Sequence, residues 1–195
     1  LRVLAAKAQA TGSLLWIDME DSSYVDRTLR LYSDLKKEYP STGIAIQAYL
    51  LRTPADIQAL LPLKPIIRLV KGAYAEPAHI AFPVKRDTDF AYFDLAVRML
   101  EAAATGDCMP IFGTHDIPML GRIVNRAAEL GVADGKYEIH MLYGIRDADQ
   151  RRLRAEGRVV KTLISYGSSW YKWYMRRLAE RPANVWFVVR SMLPG

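Results

Sequence analysis

Residues that bind anions and hydrogen-bond planar polar groups recur where short apolar runs end: Gln47, Arg68, Lys71, Thr114 with His115, His140 and, further along, the pair Arg176-Arg177. A guanidinium fork holds a carboxylate through two parallel hydrogen bonds, an ammonium acts as a point charge, and an amide both donates and accepts. Together they suit an electron-rich planar cofactor and a carboxylate-bearing substrate. Other chemistries lack their signatures. The chain has no Gly-x-Gly-x-x-Gly, no phosphate-loop motif and no Gly-x-Ser-x-Gly. Its histidines, His79, His115 and His140, have neither helical ligand spacing nor a cysteine set beside them, so no metal centre is expected. Taken singly, each candidate has an ordinary alternative. Asp18 could end a strand, Arg176-Arg177 could be a solvated helix face, and Trp170, Tyr171, Trp173 and Tyr174 read as packing.

The elements that position these residues alternate. Runs rich in β-formers occupy 14–19, 43–49, 66–71, 109–114, 137–142 and 159–164, each nearly continuous in apolar residues. That is the pattern of parallel strands buried on both faces. Helical stretches lie between them. Ser22 or Ser23 is expected to cap a helix over 24–38, with Val25, Leu29, Tyr32 and Leu35 as its apolar stripe. Thr53-Pro54 reads as a cap followed by proline at the first helical position, and Asp116 opens a helix that Gly131 ends. About six β/α units in succession predict an α/β fold with a parallel sheet and helices outside it. Both a doubly wound sheet and a (βα)8 barrel could be built this way. Polar residues at the strand ends (Asp18 and Glu20, Gln47, Lys71, Thr114 and His115, His140) favour the barrel, where such ends converge on one mouth. Six strands do not close a barrel of eight, and 1–10 already reads as a helix leading into the first strand. The segment 72–87, with Pro77 and Pro83, is the longest connection and reads as a functional loop.

Bulk properties narrow the partners. The chain has 195 residues, 51% hydrophobic and 25% charged, the composition of one globular domain over 1–195. No run of about 18 apolar residues is present. The lone Cys108 has no internal disulfide partner, which fits a reducing compartment. The net charge of +6 is concentrated from Ile145 onward, where eleven Lys and Arg face four Asp and Glu. That suggests an anionic partner, but no nucleic-acid module accompanies it, so nucleic acid is not expected.

Six sequence blocks carry a resemblance. They are Trp16-Ile17-Asp18-Met19-Glu20-Asp21-Ser22, Ile46-Gln47-Ala48-Tyr49-Leu50, Arg68-Leu69-Val70-Lys71-Gly72-Ala73-Tyr74, Gly113-Thr114-His115-Asp116, Met141-Leu142-Tyr143-Gly144-Ile145 and Arg176-Arg177-Leu178-Ala179-Glu180-Arg181. In this order and spacing they resemble the proline dehydrogenases. The resemblance implies a distorted (βα)8 TIM-type barrel holding FAD noncovalently at its mouth. It implies oxidation of L-proline, or a related cyclic imino acid, to 1-pyrroline-5-carboxylate by hydride transfer from C5 to flavin N5, with electrons passed to a membrane quinone. Arg176 and Arg177 match the pair that clamps the substrate carboxylate, and Glu180, one helical turn on, can orient Arg176. Asp18 matches the family's active-site aspartate. Arg68 and Lys71 match contacts near N5 and the N1/C2 edge, and Gln47 matches an amide that hydrogen-bonds the isoalloxazine. Val70, Gly72, Ala73, Thr114 and His115 match further cofactor contacts. The implied setting is cytoplasmic, with room for peripheral contact at the inner face of the membrane and for a homo-oligomer.

The match departs from the family in three places. No upstream strand bearing the family's active-site lysine is present, so the chain reads as the C-terminal majority of a barrel. Leu163 stands where a tyrosine normally packs against the substrate ring, with Lys161 and Ser165 in place of arginine and proline. His140 stands where glutamine is common, and an imidazole cannot reproduce both faces of that amide. These departures motivate a second expectation, a catalytically silent homologue or partial barrel that serves in binding or assembly.

Overall fold

The computed structural model describes residues 1–167. The chain divides into two compact units, Leu1–Thr162 and Leu163–Gly195, and the architecture below is that of the first. Helix α1 (Arg2–Ala10) precedes β1 (Leu15–Ile17). The alternation then runs α2 (Val25–Glu38), β2 (Thr42–Gln47), α3 (Thr53–Leu60), β3 (Ile66–Val70), α4 (Lys85–Ala104), β4 (Met109–Gly113), α5 (Ile117–Glu129), β5 (Glu138–Leu142), α6 (Asp147–Ala155) and β6 (Val160–Leu163). The six strands form one sheet in chain order. Every expected strand is found, trimmed by a residue or more at one end or both.

Register divides the sheet into two faces. Ala45 lies opposite Arg68, Arg68 opposite Ile111, and Ile111 opposite Glu138. Gln47 pairs with Val70, and Gly113 with His140. Because side chains alternate along a strand, these residues share one face. Ile44, Ile46, Ile67, Leu69, Phe112, Ile139 and Met141 occupy the other, and all are buried. Helices cover that second face. Tyr92, Leu95, Ala96, Met99, Leu100 and Ala103 form the buried stripe of α4, while α5 contributes Met119, Leu120, Ile123 and Ala127. One face is therefore a helix-packed core, and the other, which carries Arg68, Glu138 and His140, is the inner wall of a partial barrel. Cys108 is buried, and burial pushes its thiol up to about 12, as befits a small core residue.

Two cap expectations are corrected. Asp21, not Ser22 or Ser23, caps the turn that leads into α2: its carboxylate accepts from the Ser23 N–H, and the first turn, Ser22–Tyr24, is a 3-10 helix. Thr53 does not cap α3. Its hydroxyl donates to the Gln47 carbonyl at 2.6 Å and ties the helix start back to β2. Asp116 does cap α5, accepting from the Met119 N–H at 3.1 Å.

Phe112 has no exposed surface and packs in the helix-covered core. Phe112→Ala is expected to cost about 3–5 kcal/mol, read as a lower denaturant midpoint with an unchanged slope.

Candidate active site

The inner face is built on a close approach. A Cβ at Gly43 would lie 2.7 Å from the Trp16 ring, so only glycine there lets the indole lie against β2. Trp16 in turn supports Arg68, whose guanidinium carbon sits 4.6 Å from the indole centroid. Stacking of this kind contributes about 0.5–2 kcal/mol and fixes the plane of the fork. Arg68 is nearly buried and donates to the more exposed Asp18 carboxylate. Trp16 also meets His140 in a T-shaped contact, with centroids 5.7 Å apart and planes at 73°.

His140 is held from below. Its Nε2 lies 2.9 Å from Glu138 Oε2, and Lys161 Nζ lies 2.8 Å from Glu138 Oε1. Burial alone would raise the Glu138 carboxyl. The hydrogen bonds from His140 and Lys161 more than offset that and hold it below its ordinary value. An ionised acceptor makes His140 Nε2 the donor and fixes the tautomer. A chain of contacts thus runs Lys161, Glu138, His140, Trp16, Arg68, Asp18 across the inner face.

Gln47 sits at the strand end of the same face. It is almost fully buried, yet its Oε1 has no hydrogen-bond partner among the described residues. Leaving a buried acceptor unsatisfied costs about 1–3 kcal/mol, which a donor from a bound molecule would recover. Thr114 is also buried, and its hydroxyl accepts from the Asp116 N–H at 3.2 Å. His115 Nε2 accepts from the Leu142 N–H at 2.8 Å, linking the ends of β4 and β5.

Lys71 departs from the sequence expectation. It follows β3 three residues after Arg68 and belongs to the opposite face. Its ammonium lies 2.5 Å from Asp89 Oδ1 at the start of α4 and 2.8 Å from Asp116 Oδ2 at the cap of α5. Lys85 also pairs with Asp89. Burial alone would raise both carboxyls, but hydrogen bonds from Lys71 hold Asp89 and Asp116 below the usual range. Here Lys71 pins two helix starts to the end of β3 instead of joining Arg68 at the inner face.

The long connection after β3 is tied down at several points. Gly72 has φ +118 and a Cβ there would lie 2.3 Å from the Tyr49 ring, so both conformation and space demand glycine. Tyr74 donates to Glu20, and Glu76 accepts from the Ser22 N–H and hydroxyl, each at 2.7 Å. Leu50 and Ala81 form an isolated antiparallel bridge. The loop is thereby laced over the loops after β1 and β2, and regular helix resumes at Lys85.

The structure thus brings together Asp18, Arg68 and His140, with Gln47 and Val70 on the same face. Val70 is half-buried at the strand end, where a Cβ at Gly113 would meet its Cγ1 at 2.9 Å. Gly72 and Ala73 begin the laced loop. Leu163 ends β6 in the second unit. Arg176, Arg177 and Glu180 lie outside the described residues. Sequence reading missed Trp16, Glu138 and Asp89 as parts of this arrangement. Two-residue spacing offered a signal for Glu138 beside His140, and three-residue spacing could have set Lys71 apart from Arg68.

Comparison with known proteins places this geometry. A family model described as "Proline dehydrogenase" matches residues 1–190. "Proline dehydrogenase 1" of Bacillus subtilis strain 168 is 39% identical over 193 residues, covering 99% of this chain and 63% of that protein. "Proline dehydrogenase 2" of Bacillus subtilis subsp. natto is 41% identical over 179 residues, covering 92% of this chain and 58% of its own length. The "Proline dehydrogenase" of Deinococcus radiodurans is 39% identical over 196 residues, covering 100% and 62%. The chain therefore spans less than two thirds of these relatives. Among solved structures, proline utilization A (PutA) from Bdellovibrio bacteriovorus inactivated by N-propargylglycine superposes with TM-score 0.82 at 24% identity, over 91% of this chain and 20% of that one. A PutA mutant from Bradyrhizobium japonicum gives 0.79 at 23%, over 92% and 21%. These two likenesses establish the fold.

Replacing Lys71 by Met should leave Asp89 and Asp116 short of a cation and cost about 2–4 kcal/mol at neutral pH. Both carboxyls have folded-state values below their unfolded ones, so their contribution is present above the ordinary carboxylate range and lost as pH falls through the folded values. Lys71→Met should accordingly flatten the acid limb of a stability–pH profile measured by denaturant unfolding. An unchanged acid limb would remove Lys71 from this role.

Proposed function

The chain belongs to the proline dehydrogenase family, and from that premise we propose that the protein oxidises L-proline, or a related cyclic imino acid, to 1-pyrroline-5-carboxylate with FAD as cofactor and a membrane quinone as electron acceptor. The observation that carries the cofactor reading is the buried, unpartnered Oε1 of Gln47 at the strand end of the inner face. An acceptor in that position fits a ring N–H of an isoalloxazine. Bound FAD supplies the hydride acceptor, a chemistry that no side chain of this chain provides.

The protein's own residues divide the remaining work. Gln47 holds the cofactor ring through its amide. Arg68, fixed in plane by Trp16 and answered by Asp18, sets a cation beside the ring, where growing negative charge is stabilised without reorganisation. Asp18 keeps Arg68 oriented and is exposed enough to face a substrate amine. Val70, Gly72, Ala73, Thr114, His115 and His140 are the further residues that would contact the cofactor when it is bound. Lys71 holds the rim in shape through its two aspartates. By their match to the family's sequence blocks, Arg176 and Arg177 are the proposed binders of the substrate carboxylate, with Glu180 as the residue proposed to orient Arg176 and Leu163 standing where the family has a tyrosine. A cytoplasmic protein working against the inner face of a membrane, alone or as a homo-oligomer, would meet its quinone there.

The test is an anaerobic visible spectrum of purified full-length protein with FAD, before and after L-proline. Bleaching of the flavin band is expected. A flavin-loaded protein that no cyclic imino acid bleaches would sink the catalytic reading in favour of a silent homologue. Gln47→Leu should weaken FAD affinity about 5- to 30-fold, measured by quenching of flavin fluorescence, with little loss of fold by circular dichroism.

A further inference from the structure

The charged groups of the inner face cancel in pairs. Arg68 is answered by Asp18, and Lys161 by Glu138. Lys71 and Lys85, toward the helix layer, are answered by Asp89 and Asp116. Carboxylates at the rim are engaged by neutral donors, Glu20 by Tyr74 and Glu76 by Ser22, while Asp21 caps the turn before α2. Among the described residues of the inner face, His140 is the imidazole that lies between the Glu138 carboxylate and the Trp16 indole. With a neutral imidazole the Lys161–Glu138–His140 trio sums to zero. With an imidazolium it carries one positive charge. The ring is held in place for either state, since Glu138 Oε2 takes the Nε2 proton at 2.9 Å and Trp16 flanks the ring edge-on. Its register partner is Gly113, a position without a side chain, in line with the strand end where Gln47 and Val70 lie.

We propose that His140 sets the net charge of the inner face, so that its protonation strengthens the binding of an anionic flavin dinucleotide there, with Glu138 as the residue that positions it. The inference rests on the FAD reading above. Groups facing His140 from neighbouring elements are Glu138 on its own strand, Lys161 from β6, and Arg68 with Asp18 across Trp16. Hydrogen bonds from His140 and Lys161 hold the Glu138 carboxyl below its ordinary value, whereas an imidazole ordinarily titrates near about 6.5. His115, the other imidazole near this strand end, has Nε2 occupied by the Leu142 N–H, and a substitution at position 140 separates the two. Adding one charge at roughly 10 Å in a partly hydrated site should change affinity about fourfold.

The experiment measures FAD dissociation constants by fluorescence quenching from pH 8 to 6 in full-length protein and in His140→Gln. The expected result is an affinity that rises about fourfold on acidification in the parent protein and stays flat in the variant. The histidine Cε1 proton resonance absent from His140→Gln should titrate at the same midpoint as the affinity. Glutamine keeps a donor toward Glu138, and if that variant does not fold, His140→Asn serves in its place. Parallel pH profiles in parent and variant, with FAD bound in both, would overturn the proposal while leaving the cofactor reading intact. Absence of FAD binding at any pH would overturn the cofactor reading and the proposal with it. A resonance that titrates with a midpoint unrelated to the affinity would likewise overturn the role of His140.

Discussion

A charge on the inner wall of a parallel sheet has to be answered within a few ångströms, because the strands that carry it are buried on their other face and water reaches it from one side only. That constraint organises this molecule. Arg68, in the middle strand of β2–β4, cannot stand alone, so β1 supplies both the plane that supports it, Trp16, and the carboxylate that neutralises it, Asp18. The indole lies close only because β2 offers Gly43 at the same level. Glu138, in the same register row as Arg68, is tied by His140 and Lys161. Four strands, β1, β3, β5 and β6, are joined through side chains as well as through backbone hydrogen bonds.

The same demand shapes the rim. Lys71 leaves the sheet on the helix side, where desolvation would be costly for an isolated ammonium, and two aspartates meet it. One of them, Asp116, also caps α5, so a single carboxylate satisfies an orphan backbone donor and a buried cation together. The other, Asp89, fixes the first turns of α4, from which the laced loop returns to Gly72. Positions of the loop after β3 and of two helix starts therefore depend on one ion pair cluster, and the shape of the mouth depends on them.

Much of this was legible in the sequence. Continuous apolar runs identified all six strands because burial on both faces leaves no room for alternation. The polar strand ends then located the mouth. What composition and motif reading could not assign was facing. Arg68 and Lys71 looked like one cationic pair by proximity, yet three residues along a strand reverse the direction of the side chain, and the structure sends them to different layers. Caps were misread for a related reason. Ser22, Ser23 and Thr53 are the right residue types for capping, but each hydroxyl has another partner: Glu76 for Ser22, the neighbouring Asp21 for Ser23 and the Gln47 carbonyl for Thr53. Trp16 escaped notice because an aromatic residue in an apolar run reads as core until the arginine above it is seen.

The pairing of charges also bears on how such a site can select a ligand. A mouth of free cations would attract any anion, phosphate as readily as a carboxylate, and would bind each through long-range attraction. Among the described residues, an inner wall whose cations are already answered adds little attraction at a distance. A ligand gains there by matching an amide acceptor at Gln47 and the exposed side of Asp18, beside the flat, already paired guanidinium of Arg68. Each is a short-range, directional requirement, met by a planar ring with donors and acceptors on its edge and poorly met by a compact anion. Prior pairing also means that Arg68 is oriented before anything binds, so ordering it takes nothing from the free energy of association. Among the described residues, the paired inner wall thus leaves shape and hydrogen-bond pattern, more than long-range charge, as what a ligand would have to match.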